Sequence, residues 1–163
     1  MPEISIRPAQ ARDAEALKDL LHRSWRTHWG PHVSAPSRER FERELPANDY
    51  VDEFVSHMQV AVRGHDIVGM YHLEGDYLHA IHVAADQIGS GVGRVLMAAA
   101  EEGGARRLEV RAFNARARQF YAARGWQEVD RADATEMGTP VVTINMARPQ
   151  AKKRPPQGRP KPI

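Results

Sequence analysis

Apolar and polar residues alternate in "EISIR", 3–7, which predicts a strand at the start of the chain. Behind Asp13, the apolar residues Ala14, Leu17, Leu20, Leu21 and Trp25 recur at helical spacing, so an Asp-capped helix is expected there. "RTHWGPHVSAP" reads as loop because Gly30, Pro31 and Pro36 interrupt it. "SRERFERELP" and "NDYVDEFVSHM" read as one or two short helices broken at Pro46. The pattern then changes period. "QVAVR", "IVGMYHL" and "YLHAIHV" are strand-like and are joined by the short turns "GHD" and "EGD", an antiparallel meander. "GRVLMAAAEE" is helical and stops at Gly103-Gly104, and "RLEVRA" is again a strand. "NARARQFYAAR" predicts a helix with Asn114 at its N-cap and Gly125 just past its end. Two more strands, "WQEVDRA" and "TPVVTINMA", close the pattern.

Composition adds limits rather than elements. At 163 residues, 42% of them hydrophobic, the chain is one ordinary domain with enough apolar surface for a core. It has no run of 18 apolar residues, so no membrane span is expected. The opening "MPEISIRPAQ" lacks a signal peptide's apolar stretch, and a cytoplasmic protein is expected. There is no cysteine, which excludes disulfides, thiolate zinc sites and a cysteine nucleophile. The net charge of +2 is misleading. Six of the 23 basic residues fall in the last sixteen positions, which contain five prolines and no acid; the rest of the chain has 17 basic and 21 acidic residues, a net of −4. The expected organisation is therefore a domain over 1–147 and a basic, Pro-rich, disordered tail over 148–163, with no nucleic-acid partner.

The candidate chemistry starts at "HVAADQIGSGVGRVL", 82–96, where Gly89, Gly91 and Gly93 sit between a strand and a helix. A strand, a glycine turn and a helix start make an anion site: free backbone N–H groups and the helix dipole face a phosphate. Arg94 in the first turn can add a charge-assisted contact. A dinucleotide fold would need G-x-G-x-x-G, but here the third glycine falls one position early. The P-loop's G-K-[ST] is missing too. A turn that merely joins a strand to a helix is the other reading of the segment.

From Leu108 the chain reads "LEVRAFNARARQFYAARGWQEV". Taken with the glycine loop and the spacing between the two, it resembles the GNAT superfamily of acyl-CoA N-acyltransferases. That family's loop, Gln/Arg-x-x-Gly-x-Gly/Ala, corresponds to Ile88-Gly89-Ser90-Gly91-Val92-Gly93, and its Asn-x-x-Ala-x-x-Phe-Tyr to Asn114, Ala117, Phe120 and Tyr121, followed by Gly125-Trp126. The resemblance covers residues 3–146 and is most specific over 77–130. It departs in three places: Ile88 stands for Gln or Arg, the helix after the loop is short, and Trp126 replaces Phe. The fold it implies is a mixed α/β (α+β) one of about seven strands, mostly antiparallel with a splayed parallel central pair, and about four helices.

The resemblance also implies roles. The pantetheine arm of acetyl-CoA would lie in the wedge between the splayed strands, against the main chain of Ile81 and Val83, with its pyrophosphate on residues 88–94 and Asn114 capping its helix and touching the coenzyme. The acetyl group would pass directly to an amine without an acyl-enzyme. Tyr121 is the candidate acid for the leaving thiolate; a packing aromatic is the alternative. Many family members carry Glu at the position of Tyr77. Glu109, twelve residues before Tyr121, stands where ribosomal-protein N-terminal acetyltransferases carry an acidic base candidate. It reads equally as an exposed strand carboxylate paired with an arginine. Its neighbours Leu108 and Val110 would limit hydration nearby. His79 and His82, three apart on a strand, should face opposite sides, which argues against a shared metal, though either could move a proton. No metal is expected.

Trp25, His28, Trp29 and His32 could line the acceptor pocket or pack a lid over it. The reading is thus an acetyl-CoA-dependent N-acetyltransferase acting on a primary amine, a small molecule being favoured over a protein N-terminus or lysine. A homodimer is compatible with it. A non-catalytic acyl-CoA-binding sensor is the alternative, kept by Ile88 and by the missing Glu at 77.

Overall fold

A computed structural model describes residues 3–149. Seven strands, β1 (Ile4–Pro8), β2 (Met58–Arg63), β3 (Asp66–Glu74), β4 (Tyr77–Val83), β5 (Arg107–Arg111), β6 (Gln127–Glu136) and β7 (Thr139–Ala147), form one sheet in the order β1-β2-β3-β4-β5-β7-β6. Every neighbouring pair is antiparallel except β4 with β5. Five α-helices cover it: α1 (Ala14–His28), α2 (Ala35–Glu44), α3 (Ala47–Phe54), α4 (Val92–Glu102) and α5 (Ala115–Ala123). The segment around Pro46 forms two helices, hence five rather than about four. Leu45 takes the left-handed conformation at the end of α2, and Pro46 cannot extend that helix.

The sheet separates two cores. On one face Leu96 and Met97 of α4, Tyr121 of α5 and Trp126 pack on Leu78, Leu108 and Ile144. On the other face Leu17, Leu20 and Leu21 of α1 and Val51 of α3 pack on Met58, Val60 and Met70. Trp126 is almost wholly buried, and its indole N–H donates to Glu101 Oε2 at 2.9 Å, so the large ring is satisfied at its polar end.

Two local expectations change. α1 runs on to His28, and a 3-10 turn over Gly30–His32 follows it, so the predicted loop is mostly ordered into turns. Asp13 does not cap α1 with its side chain. It closes the 3-10 turn Ala11–Asp13 instead, accepting from the Gln10 N–H at 2.7 Å and from the Arg7 guanidinium at 2.8 and 3.0 Å.

The seat of α4 positions everything that follows. A Cβ at Gly69 of β3 would stand 2.6 Å from Leu96 Cδ1 and 2.9 Å from the His82 carbonyl oxygen, so only glycine lets the helix approach the sheet this closely. The tail predicted from 148 onward lies outside the described residues beyond Pro149. Arg148 itself is tied to the fold: its N–H bonds the Arg106 carbonyl and its guanidinium donates to the carbonyls of Glu101 and Ala105.

Candidate active site

The strands β4 and β5 pair only at Tyr77↔Arg107 and Leu78↔Leu108. At that level the β3–β4 ladder slips: His72 pairs Ala80, but Leu73 pairs Leu78, so His79 is an extra residue in β4. A bulge bends and twists its strand. Beyond it β4 leaves β5, which stays paired with β7 as far as Arg111↔Thr143. The gap between them opens a cleft of about 520 Å³ lined by both strands, the glycine loop, α5 and the end of α1.

The main chain of β4 supplies one wall. The Ala84 N–H bonds the Val68 carbonyl at 2.8 Å, and alternate residues of an antiparallel ladder share that orientation. His82 and Ala80 therefore spend their main-chain groups on β3, while those of Ile81 and Val83 face the cleft. The wall ends at the start of α4. Its first hydrogen bond runs from Val95 N–H to the Gly91 carbonyl, so the N–H groups of Val92, Gly93 and Arg94 precede the helical ladder. Gly89 and Gly91 have φ of +85° and +96°, which is what requires glycine there. Arg94 folds over the same loop, its Nη2 3.6 Å from where a Gly91 Cβ would lie. The Ser90 hydroxyl donates to the Gln87 carbonyl and braces the turn, and Ile88 lines the cleft beside it.

Tyr121 enters from α5, on the face of the sheet that carries α4. It is buried, lines the cleft, and burial holds its hydroxyl well above the ordinary tyrosine range, so it stays protonated. Asn114 Oδ1 accepts from the Ala117 N–H at 3.2 Å, the expected cap, and its side chain borders the cleft as well.

Glu109 enters from the opposite face. Leu108 and Val110 point away from it into the α4/α5 core, so the expected apolar surroundings are absent. Instead Glu109 Oε2 accepts from the Thr143 hydroxyl at 2.6 Å and lies 3.5 Å from Arg111 Nη1. Arg111 Nε donates to Glu136 Oε1 at 2.9 Å, and Trp25 Nε1 donates to Glu136 Oε2 at the same distance. Two carboxylates thus share one guanidinium in the cleft lining. Sequence reasoning missed Arg111, Glu136, Thr143 and Ser24. Arg111 shares a face with Glu109 at i+2 and was legible; Glu136 arrives from another strand, and only the sheet order brings it here.

The four aromatic candidates divide. His28 and Trp29 line the cleft. Trp25 stacks on Phe41 at 3.9 Å, and His32 stacks on Phe113 at 4.4 Å, so both belong to the cover. The bulge also overturns the expected opposition of His79 and His82: both lie on the α1/α3 face. They do not share a site. His79 stacks on His72 at 4.7 Å, whereas His82 Nδ1 is 2.8 Å from the buried Ser24 hydroxyl and its ring lies against Trp29. Burial pushes His82 down to about 4, with the charge of His28 adding to it.

No helix among the described residues is long and apolar enough to cross a membrane. The family described as acetyltransferase (GNAT) domain matches residues 29–147. A search of curated proteins found no match. Among solved structures, apo-form YjaB from Escherichia coli is 28% identical with a TM-score of 0.74, covering 91% of this chain and 99% of that one. A GCN5-related N-acetyltransferase from Rhodopseudomonas palustris is 23% identical with a TM-score of 0.72, over 91% and 95% of the two chains. PaiA N-acetyltransferase from Thermoplasma acidophilum, in complex with coenzyme A, is 17% identical with a TM-score of 0.65, over 86% and 98%.

The His82 environment makes a direct prediction. A folded-state pKa near 4 lies below the unfolded value of about 6.5, so the unfolded chain takes up the proton first. The stability contributed by neutral His82 is complete above about pH 6.5 and declines as pH falls toward 4. The His82 ring resonance should titrate near pH 4 by NMR, and His82→Gln should flatten that slope. A midpoint near 6.5 would contradict the desolvation of this half-buried ring.

Proposed function

The chain belongs to the GNAT acetyltransferase family, and on that premise we propose that it is an N-acetyltransferase moving the acetyl group of acetyl-CoA to a primary amine in a ternary complex. The observation that carries this reading is the unpaired β4 edge running straight into the N-terminus of α4. An arm with alternating amide groups can add to Ile81 and Val83 as a strand would, and its pyrophosphate then meets the N–H groups and Arg94 of the glycine loop. Asn114 borders the same path.

The reaction needs little beyond positioning. The amine nitrogen attacks the thioester carbon, the C–S bond breaks, and the proton lost by the amine must leave. Tyr121 and Glu109 approach from opposite layers, so a thioester in the wedge has a hydroxyl on one side and a carboxylate on the other. A buried, protonated tyrosine is a weaker acid than a thiol of pKa about 8.5. Tyr121 therefore serves the leaving sulfur through a hydrogen bond that stabilises the thiolate as the C–S bond breaks, and the thiolate leaves as such or takes its proton from solvent. Glu109 takes the amine proton, directly or through water. Glu109 and Glu136 also favour a cationic acceptor in the cleft, which suits a small amine, with a protein N-terminus or lysine as the other candidates. The cytoplasm is part of this reading.

The carrying experiment is turnover with a panel of amines, read as release of free coenzyme A. Binding without release for any amine would leave an acyl-CoA sensor. Acetyl-CoA should also raise the melting temperature. Gly91→Val, forced to φ +96°, should cost about 1–3 kcal/mol and abolish that rise; normal acetyl-CoA binding by this variant would sink the loop assignment. Tyr121→Phe should lower kcat by about 10²–10⁴-fold with coenzyme affinity nearly unchanged, whereas a loss of about two-fold would make it a packing residue. Glu109→Gln should lower kcat/KM steeply. An unchanged rate would pass the role to His79, His82 or a bound water, with His82, neutral above about pH 4, tested first.

A further inference from the structure

Behind the cleft wall, a second group of polar side chains gathers where β3, β4 and the 3-10 turn Val55–His57 meet. His72 is almost wholly buried there, its Nε2 2.7 Å from Glu74 Oε2 and its Nδ1 2.5 Å from the Tyr50 hydroxyl. The bulge turns His79 onto the same group, stacked on His72. One donor atom from each of His72, Glu74 and His79 lies within 4.8 Å of the others. His57 Nδ1 stands 3.6 Å from Glu74 Oε2. Among the described residues, this is the group of three or more metal-ligating side chains with such spacing.

From this juxtaposition we propose that His72 Nε2, a Glu74 carboxylate oxygen and His79 hold a divalent transition-metal ion of the zinc class, with His57 as a fourth donor. The proposal does not rest on the acyl-transfer reading. A hydrogen-bonded histidine–carboxylate pair accounts for His72 and Glu74, but not for two further imidazoles drawn around one carboxylate. A dication gives all of them a common partner, and two or three imidazoles with one carboxylate are a borderline donor set that suits zinc. Donors on a tetrahedral ion stand about 3.4 Å apart, given bonds of about 2.0–2.1 Å. The His72–Glu74 separation of 2.7 Å falls short of that value and the His57–Glu74 one, 3.6 Å, lies close to it, and the movable members are the exposed ones, Glu74 and His79. His72 is held in place by the core.

Tyr50 is the positioning residue. A metal on His72 Nε2 requires the proton on Nδ1, which then donates to the Tyr50 oxygen; without metal the direction of that bond can reverse and Nε2 donates to Glu74. The fourth-donor position faces the turn holding His57, and His79 itself borders the cleft, so an ion here would clamp the bulge.

The test uses the full chain without a polyhistidine tag, freed of metal by a chelator. Titration with Co²⁺ should give the visible d–d bands of a low-coordinate site saturating at one equivalent, and Zn²⁺ should displace them. Glu74→Gln and His79→Gln, both at exposed positions, should abolish the bands while circular dichroism stays unchanged. Tyr50→Phe should weaken affinity about 10–100-fold without removing the site. His65→Gln, in the β2–β3 turn, should bind as the parent does. Absence of stoichiometric binding, or binding that survives both Glu74→Gln and His79→Gln, would overturn the proposal and leave a purely hydrogen-bonded cluster.

Discussion

A single extra residue, His79, sets the geometry on which the rest of this structure depends. It displaces the β3–β4 register by one, and pairing between β4 and β5 ends at Leu78↔Leu108. A strand leaving its neighbour strands a row of N–H and C=O groups, and such an edge is expensive to keep dry and unpaired. Here the edge lines a cleft rather than the outside of the sheet. The same slip decides which side chains face which layer. It puts His79 on His72, His82 on Ser24, and the main chain of Ile81 and Val83 toward the gap.

The shape of the glycine loop follows from the seat of α4. Gly69 lets Leu96 come into contact with the sheet, and Val92, Leu96 and Met97 are fully buried. That packing fixes the helix start, and Gly89 and Gly91 then supply the left-handed turn that ends with N–H groups facing the cleft. Ile88 borders the cleft beside this turn, and the N–H groups at the start of α4 are backbone, which the side chain at 88 leaves in place.

The two faces of the sheet give the cleft two chemical characters. The α4/α5 side is apolar and carries Tyr121, whose burial keeps its proton on. The α1 side is charged, with Glu109 and Glu136 joined through Arg111, and with the half-buried His82 on the same face of the sheet. A hydroxyl and a carboxylate placed on opposite faces of a splayed sheet do not contact each other, and a ligand between them would meet both.

The amino-acid sequence by itself determined the elements, their order and the two motif segments, because helix and strand periods, turn glycines and the Asn114 cap are local properties of the chain. Tyr121 and the 88–94 loop were named through the family resemblance instead, and the fold brings Tyr121, Ile88, Gly89, Gly91, Gly93 and Arg94 to one cleft. Strict alternation failed at His79, where one inserted residue reverses the faces beyond it. It also misjudged Asp13, which closes the preceding turn with Arg7 rather than capping α1. Leu108 and Val110 sit beside Glu109 in sequence but across the sheet from it in space. Glu136 and Thr143 reach the site through the β5-β7-β6 strand order, and His57, His72 and Glu74 meet His79 through the packing of α3 and its turn on the sheet. Contacts between residues tens of positions apart depend on register and layer packing, and only the tertiary structure decides those.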